Sequence, residues 1–124
     1  MADELKINAN ISFSKDRKKY SKSYGGIEVD VTGTDYVVGT QSIATSATAI
    51  NVGEIGNEGY IYAKNLDTTN YVELHNGSSG THMVKLLPGD VCLFKLFKLV
   101  DGTPDLHATA NEAAVEIEYA IIED

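Results

Sequence analysis

Residues 59–97 read GYIYAKNLDTTNYVELHNGSSGTHMVKLLPGDVCLFKLF, and the punctuation of this stretch decides the fold class. Ile61 and Ala63 alternate with Tyr60, Tyr62 and Lys64, while Val72 and Leu74 alternate with Tyr71, Glu73 and His75. Alternation at every second position is the period of a strand whose two faces meet different surroundings. Between the runs stand NLDTTN, HNGSSGTH and LPGD, all built from turn-forming residues. Leu87-Pro88-Gly89-Asp90 predicts a type II turn, because Pro fixes φ at the second position and Gly accepts positive φ at the third.

Working outward, the same period recurs at both ends. Leu5, Ile7, Ala9, Ile11 and Phe13 alternate with Lys6, Asn8, Asn10 and Ser12, which predicts a strand with one wet face. Residues 14–26 show no apolar period and read as a long exposed basic loop or hairpin arm ending in Gly25-Gly26. Ile27, Val29 and Val31 then mark a second strand. From Asp35 to Val52 the β-branched residues predict two strands, or one strand broken near Gly39, rather than a helix over 42–50. The apolar run from Val91 predicts a strand buried on both sides, or one covered by a neighbouring subunit. Ala108 to Ala114 reads as a loop or helical turn. In the closing strand Val115, Ile117, Tyr119 and Ile121 face inward, opposite Glu116, Glu118 and Ala120.

These runs make eight or nine short strands with turns every eight to twelve residues. The expected fold is an all-β, single-domain antiparallel β-sandwich over residues 1–124, jelly-roll-like in form. A chain of 124 residues can bury a core without covalent staples. The single cysteine, Cys92, has no internal disulfide partner and reads as core packing.

Net charge is −8, which argues against general binding to nucleic acid, where affinity comes from basic residues displacing counterions. The charge is also unevenly distributed. Lys15, Arg17, Lys18, Lys19 and Lys22 are half of the ten basic residues, whereas the segment after Leu99 has seven acidic residues and neither Lys nor Arg. The acidic N-terminus lacks the pattern of a secretory signal, and no apolar run reaches the roughly twenty residues of a membrane-spanning helix. Synthesis in the cytosol without a signal peptide, and no membrane partner, are the expectations.

Chemistry-bearing residues are sparse. His75 and His82 flank a glycine-serine turn and read as exposed turn histidines, and with His107 they show no metal-ligand spacing. No glycine-rich loop leads from a strand into a helix. The expectation is a protein that is not an enzyme and carries no cofactor or metal. Two surfaces invite binding instead. Tyr60, Tyr62 and Tyr71 form a candidate aromatic face of the kind that holds glycans or protein partners, and Leu93, Phe94, Phe97 and Leu99 form a candidate apolar interface.

The stretch GYIYAKNLDTTNYVEL, the segment VKLLPGDVCLFKL and the closing AVEIEYAIIE together resemble small β-sandwich structural proteins of tailed bacteriophages, over about residues 59–122. In that family an NLD-type turn follows a strand, and a Leu-x-Pro-Gly turn precedes an apolar one. The resemblance implies a virion protein, foremost a capsid decoration or cement protein, with neck, tail or fibre proteins as alternatives. It also implies a homo-oligomer, trimers among the options, in contact with a major capsid or other virion protein. On this reading the basic arm docks on acid, either the C-terminal strand of the next subunit or a capsid patch, and Leu93 to Leu99 bury against a neighbour. A carbohydrate-binding module using the tyrosine face is the alternative from another class.

Overall fold

The computed structural model describes residues 4–56, 58–79, 81–96 and 106–123. Every regular element among them is a strand and all pairings are antiparallel, so the all-β sandwich class expected from the alternation is the class observed. Among the described residues ten strands form where eight or nine are expected, and contacts divide the chain into two compact units, Met1–Thr32 and Gly33–Asp124.

The first unit is a hairpin of β1 (Leu5–Lys15) and β2 (Lys18–Val29). Its turn is only Asp16 and Arg17, with Asp16 at φ 56°, a left-handed conformation that a short polar side chain tolerates. Of the loop and hairpin arm expected for the basic residues, the hairpin forms, and all of them but Arg17 are paired strand residues. A bulge decides which way the second strand faces. Ile7 pairs with Ile27 but Ala9 pairs with Tyr24, so Asn8 opposes both Gly25 and Gly26. Gly26 takes φ 67°, and its N–H donates to Asn8 Oδ1 at 2.9 Å. Ile27 and Val29 are odd-numbered while Tyr20, Lys22 and Tyr24 are even, and the extra residue brings both sets to one face.

The second unit is a sandwich of two four-stranded sheets. β3 (Tyr36–Ile43), β10 (Val115–Glu123), β5 (Glu58–Asn65) and β8 (Val91–Lys95) lie side by side in that order in one sheet. β4 (Thr48–Ala49), β9 (Leu106–Ala110), β6 (Val72–Asn76) and β7 (His82–Leu86) form the other. One core holds them together: Ile43, Ile61, Ala63, Ile117 and Ile121 from the first sheet pack with Val72, Leu74, Leu86, Leu106 and Ala108 from the second. Tyr119 joins this core with its hydroxyl donating to Asn51 O at 2.8 Å, and burial pushes its pKa up.

Three local expectations need correction. β3 runs unbroken through Gly39, which stands opposite Tyr119 in the ladder. Leu106–Ala110 is a strand, because Leu106, Ala108 and Ala110 alternate inward with the small apolar side chains that a packed sheet accepts. The run from Val91 is not buried on both sides. Among the described residues β8 pairs with β5 alone, so it is an edge strand with Cys92 and Phe94 turned to the core and Val91 and Leu93 turned out.

The 87–90 turn forms as expected: Asp90 N–H donates to Leu87 O at 2.8 Å and Gly89 takes φ 84°. It is held by Asn65, a fully buried amide at the end of β5. Asn65 Nδ2 donates to Asn70 O and Leu86 O, each at 3.0 Å, and Oδ1 accepts from Asp67 N–H at 2.7 Å. Its own N–H donates to Asp90 O, and its carbonyl accepts from Gly89 N–H. Asp67 closes the adjoining turn through Thr69 N–H and Asn70 N–H, which hold its carboxyl below the usual aspartate range.

At the opposite end, the Glu123 carboxylate accepts from Thr34 N–H and Gly56 N–H, both at 3.0 Å. These bonds lower its pKa and tie the entry of β3 to the exit of β10. Replacing Asn65 with Ala strands one donor and two acceptors in the interior. The expected loss of unfolding free energy is about 2–4 kcal/mol, read from urea denaturation, and a loss below about 1 kcal/mol would rule out the structural role given to this amide.

Candidate functional site

The hairpin positions the basic cluster. Lys15 and Lys18 are the last cross-strand pair before the Asp16-Arg17 turn, and Lys19 lies opposite Ser14. Lys22 lies opposite Ile11, with its Nζ 5.0 Å from the centre of the Tyr24 ring. Register places Leu5/Val29, Ile7/Ile27, Ala9/Tyr24, Ile11/Lys22 and Phe13/Tyr20 on one face as successive rungs. That face is open: Ile11 is 61 % exposed and Phe13 50 %. Lys15, Arg17, Lys18 and Lys19 thus crown a mainly apolar ladder that holds Lys22 as one of its members, a combination that the sequence period shows for β1 and conceals for β2.

On the sandwich, the outward residues of the first sheet form three rows across its strands. Thr40, Glu118, Lys64 and Val91 make the first; Val38, Ala120, Tyr62 and Leu93 the second; and Tyr36, Ile122, Tyr60 and Lys95 the third. Glu116 stands beyond them, opposite Ser42. Val38 is 62 % exposed and Leu93 48 %, so the centre of this face is apolar and open. Tyr62 donates to Glu118 Oε1 at 3.4 Å, and Lys95 Nζ lies 5.6 Å from the Tyr60 ring centre. Partial burial, with the Glu118 charge beside it, raises the Tyr62 pKa.

The aromatic face expected from Tyr60, Tyr62 and Tyr71 is not one surface. Tyr71 stands beside β6 in the opposite sheet, its ring 4.2 Å from Lys85 Nζ, because strand order separates segments that adjoin in sequence. The candidate interface also divides. Leu93 faces out and Phe94 packs inward, since neighbouring strand residues point to opposite faces, and Phe97 and Leu99 lie outside the described residues.

The histidines depart furthest from expectation. His82, His75 and His107 form one cross-strand row on the outer face of the second sheet. The His75 and His82 rings stack with centroids 4.2 Å apart and 14° between planes, and His107 lies 6.0 Å from His75 on the other side. His75 is not an exposed turn residue: it is only 3 % accessible. Its Nδ1 donates to Gly77 O at 2.7 Å and its Nε2 lies 2.9 Å from the Thr109 hydroxyl, so the neutral ring carries its proton on Nδ1. Burial lowers its pKa, and positive charge on His82 or His107 would lower it further, against the Gly77 carbonyl and the Glu73 carboxylate. His82 Nδ1 lies 3.1 Å from Glu73 Oε1. Among the described residues no group of three or more His, Cys, Asp and Glu side chains is arranged to hold a metal ion, and both His75 nitrogens are already engaged.

A cavity of about 310 Å³ opens between β8 and the β6–β7 pair, walled chiefly by Leu74, Val84, Phe94, Leu96 and Leu106, with His75 at its rim. Its lining has no carboxylate, hydroxyl or thiol side chain among the described residues. Cys92 packs against the core, where burial pushes its thiol up to about 11. A thiol so protonated at neutral pH is a poor nucleophile. No known protein family matches the chain, and no curated protein or solved structure does so either.

The histidine row makes stability depend on pH. An unfolded histidine titrates near 6.5, while folded His75 keeps its neutral form to lower pH. The unfolded state therefore takes up the proton first, so the stability it confers is complete above about pH 6.5 and is lost on acidification. The urea midpoint is expected to fall between about pH 7.5 and about pH 5.5, above the range where carboxylates titrate, and to fall less in His75→Gln. Parallel slopes for the two proteins would exclude His75 as the source.

Proposed function

We propose that this chain is a non-enzymatic structural protein that works by assembly, and that it decorates the shell of a virus particle. The observation that carries the reading is the hairpin: a two-stranded ribbon with one apolar face open and a cluster of cations at its tip. An isolated hairpin is marginal in water, and covering such a face stabilises the ribbon while burying what covers it. Charge at the tip gives the contact direction and salt sensitivity.

The sandwich supplies the rigid body. Its strand order, β3-β10-β5-β8 facing β4-β9-β6-β7, supports a jelly-roll winding, an architecture frequent in capsid proteins. The Asn65-Leu66-Asp67 and Leu87-Pro88-Gly89 turns that resemble those of tailed-phage sandwiches support the virion location. The protonated Cys92 thiol and the fully engaged His75 ring support a role without catalysis.

Quantitative mass spectrometry of purified particles from the source of the gene tests the proposal. A decoration protein is expected in a fixed, near-stoichiometric ratio to the major shell protein. A few copies per particle would move it to the neck, tail or fibres, and absence from particles would overturn the virion reading.

A further inference from the structure

Building on the reading that the chain works by assembly, we propose that the apolar face of the β1–β2 hairpin of one copy lies on the outer face of the β3-β10-β5-β8 sheet of a second copy, with its basic tip at the Glu116 end of β10. Charge sets the orientation. Along the hairpin the order is cations at the tip (Lys15, Arg17, Lys18), then the Phe13/Tyr20 rung, then the Ile11/Lys22 and Ala9/Tyr24 rungs. Along β10 the outward order is Glu116 and Glu118, then Ala120 within the Val38–Leu93 row, then Ile122 within the Tyr36–Tyr60 row. Both surfaces therefore run from charge to apolar, with opposite signs at the charged end.

The spacings agree as well. Each step is two strand residues on either surface, about 7 Å, so in a single placement the Lys15/Lys18 level of the ribbon falls on the Glu118 level of the sheet, the Phe13/Tyr20 rung on the Tyr62/Leu93 level and the Ile11/Lys22 rung on the Tyr60/Ile122 level. A second hairpin is a poorer occupant of the same ladder, because it brings cations of its own while Glu28, the one carboxylate within its two strands, lies on the opposite face. The outer face of the other sheet is poorer too: Glu73, Lys85, Tyr71 and the histidine row already contact one another there.

The test is a charge exchange read by sedimentation equilibrium of the full chain at low and high salt. Wild type is expected to self-associate more tightly at low salt. Lys15→Glu with Arg17→Glu and Lys18→Glu is expected to weaken association by about tenfold or more, and Glu116→Lys with Glu118→Lys to do the same. Combining the two sets is expected to restore association to within about threefold of wild type, an outcome that misfolding cannot imitate. Phe13→Ser with the native charges is expected to weaken it as well. A wild-type chain that stays monomeric at every concentration, or a combined variant no tighter than either parent, overturns the proposal. A monomer that is still abundant on particles would do so while leaving the assembly function intact, with the arm seated on another protein; a monomer absent from particles would remove both.

Discussion

Asn65 uses every hydrogen-bonding group it has. Its amide holds Asp67, Asn70 and Leu86, and its backbone holds Gly89 and Asp90, so the end of β5 in one sheet is fastened to the exit of β7 in the other. An amide with no exposure at all is tolerable only because each of its polar atoms is satisfied. The consequences spread along the chain. Fastening the 87–90 turn sets where β8 begins, and the start of β8 sets which of its residues turn inward. Leu93 is offered to solvent and Phe94 to the core for this reason, although their chemistry is nearly the same.

Turn chemistry and period two made much of this legible in sequence. The Pro88-Gly89 turn, the closing strand with Ile117, Tyr119 and Ile121 inward, and the outward Tyr60 and Tyr62 all follow from local rules that the tertiary structure respects. What was hidden depends on strand order or on a shift in parity. Tyr71 shares a period with Tyr60 and Tyr62 but lies in another sheet. Tyr20 and Tyr24 face Ile11 and Phe13 through the two-residue turn, and Ile27 and Val29 share that face only through the bulge at Gly25-Gly26, a signal present in the glycine pair and lost in a run that has no visible apolar period.

The histidines show the same limit. His75 and His82 sit at matching distances from the middle of their turn, which is a hint of pairing, but nothing local brings His107 to them from more than twenty residues away. Burial of His75 follows from being the middle member of a row of three, flanked by rings on both sides. A polar side chain on an outward strand position thus becomes one of the least accessible in the molecule. Sequence period assigns a side chain to a face; how accessible that face is depends on its cross-strand neighbours.

These neighbours make the sandwich two-sided in a stronger sense than its sheets alone would. Outside the β4-β9-β6-β7 sheet, polar groups find one another: Glu73 meets His82, Lys85 covers Tyr71, and His75 is held by Gly77 and Thr109. Outside the β3-β10-β5-β8 sheet, Val38, Tyr36, Val91 and Leu93 remain open beside Glu116. A free monomer gains nothing from leaving large apolar groups in water on one face while satisfying the other so fully, since transfer of each out of water is worth on the order of 1–2 kcal/mol. The asymmetry is accounted for if the first face is finished within the chain and the second is finished by another molecule. Among the described residues, the ribbon of the hairpin, whose charged tip has the opposite sign to the end of that face, matches it.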